Sequence, residues 1–199
     1  MTRGSLIVFE GLDGTGKSTQ LPRLAVRLEA RGREVVRTRE PYDCAAGRRI
    51  RELARAAPAA PGEELELFVE QRRAHVRERI APALARGAVV LSDRYFLSTV
   101  AYQGARGFDP ARLLAESEAE FPLPDLALLL VLAPEAGLAR VAARGGPAEP
   151  AFERADFLGR VRDLFDALDR PYIARVDAAG SAEQVEQRIA ATVQRRLGL

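Results

Sequence analysis

The sequence predicts an α/β fold, a doubly wound, five-stranded parallel sheet flanked by helices. Short apolar runs alternate with longer segments of helical spacing, one run is apolar throughout, and glycines join the first run to the first helix. A run without polar alternation is typical of a strand buried on both faces, as in parallel sheets. With 199 residues and neither a repeat nor a dividing linker, the chain is expected to be one domain, residues 1–199.

The predicted elements follow one another in a regular order. Five short segments are predicted to be strands: residues 6–9, 34–38, 88–92, 126–132 and 172–176. Helices are expected where apolar side chains recur every three or four residues: residues 17–31, 47–56, 63–84, 97–103, 110–120, 134–144, 152–168 and 181–197.

Glycine and proline mark the boundaries between these elements. Gly32 ends the first helix, and a breaker from Pro58 to Gly62 separates the second helix from the third. The run at residues 126–132 is apolar at every position, so it is expected to be a strand buried on both faces of a parallel sheet. Glycines and a proline at residues 145–147 interrupt the chain, which predicts a mobile segment there.

Composition and charge exclude several classes of function. Thirty basic and 28 acidic side chains leave a net charge of +2, too small for a basic face that binds nucleic acid. The longest apolar run has eight residues, whereas roughly 20 are needed to span a bilayer. The apolar run that ends at Phe9 is too short for a signal peptide. We therefore expect a soluble cytoplasmic protein with no nucleic-acid or membrane partner.

The single cysteine and the single lysine are also informative. Cys44 has no second cysteine to pair with, which excludes an internal disulfide and disfavours a cysteine metal site. Lys17 is the only lysine, and the other 29 basic residues are arginines. Lysine is a compact point charge on a thin stem, whereas arginine is a planar fork. The place where an arginine-rich chain keeps an ammonium group is therefore a candidate functional site.

Residues 11–18, Gly-Leu-Asp-Gly-Thr-Gly-Lys-Ser, match the phosphate-binding pattern G-x-x-x-x-G-K-[ST] between a predicted strand and a predicted helix. In this pattern, backbone N–H groups and a helix N-terminus face phosphate oxygens. Lys17 is expected to reach the β- and γ-phosphates and Ser18 to bind Mg²⁺. The residues predicted to bind a nucleoside triphosphate are Gly11, Leu12, Asp13, Gly14, Thr15, Gly16, Lys17, Ser18 and Thr19. The alternative is a glycine-rich turn with an exposed lysine.

Among phosphate-loop proteins, a small-molecule kinase fits this chain best. A GTPase would carry an N-K-x-D motif, and the chain contains no asparagine. Motors and large ATPases need partner domains for which 199 residues leave no room.

Asp93 and Arg94 directly follow the predicted strand at residues 88–92, at the edge where open α/β sheets bind ligands. A monophosphate acceptor would bring a second anion up to the triphosphate, so the site needs cations. Arg94 offers a bidentate fork for that acceptor phosphate. Asp93 is expected to accept from a metal-bound water or to orient Arg94. A purely structural Asp93–Arg94 ion pair is the alternative.

Several segments taken together resemble the thymidylate kinase family. They are Phe9 to Gly14 with the phosphate loop, Arg39-Glu40-Pro41, Leu67-Phe68 with Arg72, Asp93-Arg94-Tyr95, and Ser98 to Gln103. The resemblance runs in order from about residue 5 to residue 195. It implies a P-loop NTPase fold of the nucleoside monophosphate kinase type, and transfer of the γ-phosphoryl group of ATP to dTMP with Mg²⁺. It also implies a lid segment at about residues 144–154 and a homodimer.

The resemblance assigns roles to individual side chains. It places Asp13 near the acceptor's phosphate and sugar hydroxyl, Phe68 against the pyrimidine face, and Arg72 on the O4 carbonyl. Tyr102 is expected to crowd C2′ and so to favour deoxyribose. The substrate-binding residues expected are Asp13, Arg39, Phe68, Arg72, Arg94, Ser98, Thr99, Tyr102 and Gln103. Core packing of Phe68, a solvated Asp13, and surface positions for Thr99 and Gln103 are the alternatives.

The expected metal ligands and catalytic side chains complete this set. Ser18, Asp93 and Glu153 are expected around Mg²⁺. Catalysis is assigned to four side chains: Lys17, Asp13, Arg94 and Arg144. No general base is required, because an acceptor phosphate oxygen is already ionised. His75 is predicted to lie on a solvated helix face among arginines and to take no part.

Two segments depart from the family pattern. After Arg39-Glu40-Pro41 the family usually has Gly-Gly-Thr, whereas this chain has Tyr42-Asp43-Cys44. Cys44 is expected to be a loop or helix-start residue and not a nucleophile. The lid lacks the arginine of the usual Asp-Arg-x-Glu pattern.

Which arginine stabilises the transferred phosphoryl group therefore stays open. Arg140, Arg144 and Arg154 are candidates, with Arg144 preferred because it precedes the lid glycines. Two other functions also stay open: another nucleoside or deoxynucleoside monophosphate kinase, and a module that binds ATP without catalysis.

Overall fold

Five parallel strands form one sheet in the part of the chain that the computed structural model describes, residues 3–54, 61–133 and 151–199. Their order across the sheet is β2-β3-β1-β4-β5. The strands are β1 (Leu6–Glu10), β2 (Val35–Arg39), β3 (Val89–Asp93), β4 (Leu126–Val131) and β5 (Ile173–Asp177). The predicted fold class is confirmed, and each predicted strand end lies within one residue of the observed one.

Helices connect the strands and cover the sheet. The described helices are α1 (Lys17–Glu29), α2 (Ala45–Leu53), α3 (Pro61–His75), α4 (Ala81–Ala85), α5 (Phe96–Gly104), α6 (Pro110–Glu120), α7 (Ala151–Ala167) and α8 (Ala182–Leu197). The helix predicted over residues 134–144 lies outside the described residues. No helix in the described ranges is both long and apolar enough to cross a bilayer.

The helix predicted over residues 63–84 is divided. A five-residue π-helical segment, Val76–Ile80, separates α3 from α4. Pro82 has no N–H to give to the carbonyl four residues before it, so a regular α-helical ladder cannot continue through this point. The Ala81 N–H instead bonds to Val76 O, one residue further back.

Apolar side chains fill both faces of the sheet. In β1, Leu6 and Val8 pack on the side of α4 to α7, while Ile7 and Phe9 pack on the side of α1 and α8. This is the arrangement that a strand with no polar alternation requires. The carboxyl ends of β2, β3 and β1 are neighbours in the sheet. The residues that follow these three strands are therefore brought to one edge.

Candidate active site

The phosphate loop runs from the end of β1 into α1. Gly11 has φ +126°, and a Cβ built there would lie 2.5 Å from Leu130 O of the neighbouring strand. Gly16, with φ +98°, caps the first turn of α1 in the left-handed region. Glycine is needed at both places, since other residues rarely adopt these backbone angles.

Lys17 lies inside this loop with its side chain buried. Its Nζ donates to Gly11 O at 2.9 Å and to Leu12 O at 2.8 Å. Burial, with the positive charge of Arg94 nearby, lowers the pKa of Lys17 to about 8. The alternative of an exposed lysine on a glycine-rich turn is therefore wrong, and the ammonium is held where an added anion would stabilise it.

Ser18 and Asp93 meet between α1 and the end of β3. The Ser18 hydroxyl donates to Asp93 Oδ2 at 2.8 Å, and Asp93 Oδ1 is buried without a hydrogen-bond partner. A hydroxyl and a carboxylate oxygen are the donors that Mg²⁺ prefers. The pair therefore fits a magnesium site, with Asp93 Oδ1 left to accept a hydrogen bond from a metal-bound water.

Arg94 contacts Asp13 of the phosphate loop. Its Nη2 donates to Asp13 Oδ1 at 2.6 Å and its Nη1 to Ser98 Oγ at 3.0 Å. Arg94 thus forms its ion pair with Asp13 and not with Asp93. The Arg94 backbone has φ +71°, a conformation uncommon outside glycine. Its N–H donates to Phe9 O at 2.9 Å and its carbonyl accepts from Ser92 Oγ at 2.7 Å, which hold it there.

Glu10 is a buried carboxylate that the sequence analysis did not assign. It accepts from the N–H of Tyr95 at 2.8 Å and from the hydroxyl of Ser98 at 2.5 Å. Burial raises the pKa of Glu10 to about 7, against the lowering effect of these hydrogen bonds. Glu10 ties the end of β1 to the start of α5, and so joins the phosphate loop to the segment that carries Arg94.

A cavity of about 330 Å³ opens beside Asp13 and Arg94. Eight of the nine predicted substrate-binding residues line it: Asp13, Phe68, Arg72, Arg94, Ser98, Thr99, Tyr102 and Gln103. Arg39, the ninth, is exposed at the end of β2 and is absent from the lining. Phe68 is half-buried at the cavity. Thr99 and Gln103 are buried there, so the alternative that these two residues lie on a helix surface is wrong.

Arg72 lies at the wall of this cavity and is 1% exposed. Its Nε and Nη2 donate to Glu40, with Nη2 to Oε2 at 2.6 Å, and Nη2 also reaches Thr99 Oγ1 at 2.8 Å. Nη1 has no partner. The cavity wall also carries the buried, unpartnered Tyr95 hydroxyl and Gln103 Oε1. A ligand that accepts from Arg72 would satisfy an otherwise orphaned donor.

Comparison with known proteins agrees with this geometry. The family model described as "Thymidylate kinase" matches residues 9–189. The chain belongs to the thymidylate kinase family. It is therefore an ATP-dependent phosphotransferase. Among curated relatives, "Thymidylate kinase" of Desulfotalea psychrophila is 43% identical over 195 residues, covering 98% of this chain and 96% of the relative.

Two further relatives have the same name. The one from Akkermansia muciniphila is 44% identical over 187 residues, or 94% of this chain and 90% of its own length. The one from Xanthomonas euvesicatoria is 48% identical over 182 residues, or 92% and 80%.

The loop in which this thymidylate kinase family member departs from the pattern packs against α3. The Tyr42 N–H donates to Gln71 Oε1 at 2.7 Å, and its ring stacks on His75 with centroids 4.8 Å apart. Cys44 Sγ accepts from the Gly47 N–H at 3.4 Å and caps α2, which confirms Cys44 as a helix-start residue.

The prediction for His75 was wrong. The side chain is fully buried, not solvated, and it bonds to Glu40 and Thr38. The error arose because Arg72 and Arg73 suggested a charged outer face, whereas Arg72 itself turns inward to Glu40. The Arg39-Glu40-Pro41 segment was the available signal, since a buried carboxylate needs partners.

The lid residues of this family member are outside the structural description. Arg140 and Arg144 fall in residues 134–150, which are not described. Glu153 and Arg154 lie in α7, but their side chains are not described. The predicted lid at about residues 144–154 and the choice among these arginines therefore stay predictions.

Proposed function

We propose that the cavity holds dTMP, that the phosphate loop holds the triphosphate of ATP, and that Ser18 and Asp93 would hold Mg²⁺ beside that triphosphate. One observation carries this proposal. Arg94 and Asp13, the latter a phosphate-loop residue, line the cavity together with Arg72, whose buried Nη1 has no partner. A nucleoside monophosphate has a charged end and a base with a hydrogen-bonding edge that match this arrangement.

Phosphoryl transfer in this site depends on positioning and charge. An ionised oxygen of the acceptor phosphate attacks the γ-phosphorus of ATP, and the bond from that phosphorus to the ADP oxygen breaks. Lys17 and Arg94 offset the repulsion between the two anions, Lys17 at the β- and γ-phosphates and Arg94 at the acceptor. The acceptor phosphate takes the place of Asp13 as the partner of Arg94. Asp13 then lies near the acceptor's phosphate and sugar hydroxyl. No side chain has to remove a proton.

The magnesium proposal rests on Ser18 and Asp93, with Glu153 as a third oxygen donor near the acceptor. When bound, Mg²⁺ neutralises charge that develops on the phosphate oxygens. Arg144 is assigned to the transferred group, with Arg140 and Arg154 as the other candidates.

Base recognition is assigned to the far side of the cavity. Arg72 Nη1 donates to the O4 carbonyl of thymine, where cytosine presents an amino group that cannot accept. Phe68 stacks on the pyrimidine, which is worth about 1–3 kcal/mol per base. Thr99 and Gln103 form hydrogen bonds with the edge of the base. Ser98 accepts a hydrogen bond from Arg94, and Tyr102 crowds C2′ of the sugar. Arg39 is also assigned to the substrate, although its exposed side chain would have to move to reach the cavity.

An ADP-release assay with Mg²⁺·ATP tests the proposal against six acceptors: dTMP, dUMP, dCMP, UMP, CMP and AMP. We expect dTMP to exceed dCMP and the ribonucleotides by orders of magnitude in kcat/KM. A preference for dCMP, CMP or AMP, none of which carries the O4 carbonyl, would overturn the assignment of Arg72. ATP binding without any transfer would favour the non-catalytic module.

Two finer expectations belong to the same proposal. We assign the chain to the cytoplasm and expect a homodimer, as the family resemblance implies. Sedimentation equilibrium at micromolar concentration tests the dimer, and a monomeric mass would contradict it.

A further inference from the structure

The guanidinium of Arg72 is held by two side chains from different parts of the fold. Glu40, just after β2, takes both Nε, at 3.0 and 3.1 Å, and Nη2, at 2.6 Å. Thr99 on α5 takes Nη2 at 2.8 Å. These contacts use every donor position except Nη1. The orientation of the unpartnered nitrogen is therefore set by where the Glu40 carboxylate lies.

His75 holds the other side of that carboxylate. Its Nδ1 lies 3.0 Å from Glu40 Oε1, and both side chains are buried, at 0% and 2% exposure. An ionised carboxylate can only accept, so Nδ1 carries the hydrogen in either protonation state of the ring. Burial alone would raise the pKa of Glu40, but the charge of Arg72 and the hydrogen bond from His75 lower it below its usual value.

The imidazole is itself fixed on two further sides. Its Nε2 lies 2.7 Å from the Thr38 hydroxyl of β2. The Tyr42 ring covers it at 4.8 Å and 15° between the ring planes. Tyr42 stands where the family pattern usually has glycine, which has no side chain to supply such a cover. A ring with both nitrogens bonded and one face stacked cannot turn without breaking several contacts.

We propose that His75 is a positioning residue for substrate selection: through Glu40 it fixes Arg72 so that Nη1 reads the base, and Tyr42 holds the imidazole in place. This inference rests on the proposed function, in which Arg72 bonds to thymine O4. His75 touches no substrate. Its removal should loosen the Glu40–Arg72 pair, and an Arg72 that can turn will discriminate less between O4 of thymine and the amino group of cytosine.

The test compares kcat/KM for dTMP and dCMP in His75→Leu and His75→Asn. Leucine removes the donor to Glu40 and keeps an apolar volume, whereas asparagine offers an N–H near the position of Nδ1. We expect His75→Leu to lower the dTMP-to-dCMP ratio about tenfold, the effect typical of one hydrogen bond to a charged group. His75→Asn should recover most of that ratio. KM for ATP should stay within about twofold, since Lys17 and its loop are untouched.

Ile80→Val is the matched control for stability. Ile80 follows in the same helical stretch and is fully buried, but it has no part in the Glu40 network. Its substitution should lower the melting temperature and leave the dTMP-to-dCMP ratio unchanged. If His75→Leu behaves in the same way, His75 has a structural role only and the inference is overturned.

Three more variants keep the inference separate from the proposed function and from a folding failure. If Arg72→Ala leaves the ratio unchanged, the proposed base reading is wrong and the inference falls with it. If Arg72→Ala lowers the ratio and His75→Leu does not, the inference alone is overturned. Should His75→Leu fail to fold, Thr38→Val and Tyr42→Leu must each lower the ratio. An unchanged ratio in both would overturn the role of His75.

Discussion

Arg94 Nη2 donates to Asp13 Oδ1 at 2.6 Å across the gap between the β3–α5 junction and the phosphate loop. This ion pair links the two halves of the proposed site. Burial opposes the charge on Arg94, but Tyr102 and Asp13 lead the groups that raise the pKa of the guanidinium above its usual value. Arg94 is therefore charged at every working pH, and an acceptor phosphate in the proposed site would compete with Asp13 for it.

Arg94→Lys should lower kcat/KM for dTMP by about 10²–10³ while ATP still binds, because lysine keeps the charge and loses the fork. Initial rates against dTMP concentration and ATP titration by calorimetry measure the two effects separately. Arg112→Lys is the matched control, since Arg112 pairs with Glu116 on an exposed turn of α6. An Arg94→Lys enzyme with unaltered kcat/KM would exclude Arg94 from the acceptor site.

Lys17 predicts a pH dependence of ATP binding. Its pKa of about 8 in the free protein rises when phosphates lie against the ammonium. Binding therefore takes up a proton as the pH rises above about 8, and the Kd for ATP should increase there. Calorimetry at pH 8.5 in two buffers of different ionisation enthalpy gives the number of protons taken up. A Kd that stays flat from pH 7 to 9.5 would contradict a lowered pKa.

Glu10 predicts a pH dependence of stability. Its pKa is about 7 in the folded protein against 4.5 for an ordinary glutamate, so folding takes up a proton between these values. The contribution of Glu10 to the free energy of unfolding is full below pH 4.5 and is lost as the pH rises through 7.

Glu10→Gln should remove that part of the pH dependence. Urea unfolding of both proteins at pH 5, 6, 7 and 8 should show a difference that changes in favour of the glutamine variant as the pH rises. Glu34→Gln, which alters an exposed carboxylate paired with Arg86, is the control for the change of glutamate to glutamine itself. Parallel curves for Glu10→Gln and the wild type would show that Glu10 is ionised throughout.

The fold could be predicted from local pattern, whereas most of the residues that line the cavity were predicted from the family resemblance. The apolar run at residues 126–132 became β4, and the residues spaced along α5 came together on one face. The buried network around Glu40 was missed because it joins β2, α3 and the Tyr42 loop, which no local spacing relates. His75 shows the same limit: its neighbours in the chain are charged, but its neighbours in space are Glu40, Thr38 and Tyr42. Burial of such polar groups is decided by tertiary partners.

Two glycines should respond oppositely to the same change. At Gly11, an alanine Cβ would lie 2.5 Å from Leu130 O in a backbone with φ +126°, so Gly11→Ala should both destabilise the fold and disrupt the phosphate loop. At Gly159, inside α7, an added Cβ meets nothing within 4 Å. Gly159→Ala should therefore raise the free energy of unfolding by about 0.5–1 kcal/mol, since alanine favours the helix.

Urea unfolding and ATP titration of both variants check this pair. Gly159→Ala should bind ATP as the wild type does, because only the stability of α7 changes. Gly11→Ala should lose ATP affinity together with stability. The added Cβ would displace the same backbone whose N–H groups face the phosphates. If Gly11→Ala keeps its affinity for ATP, the close approach of Gly11 to β4 does not shape the loop, and the phosphates must be held by Lys17 and the start of α1.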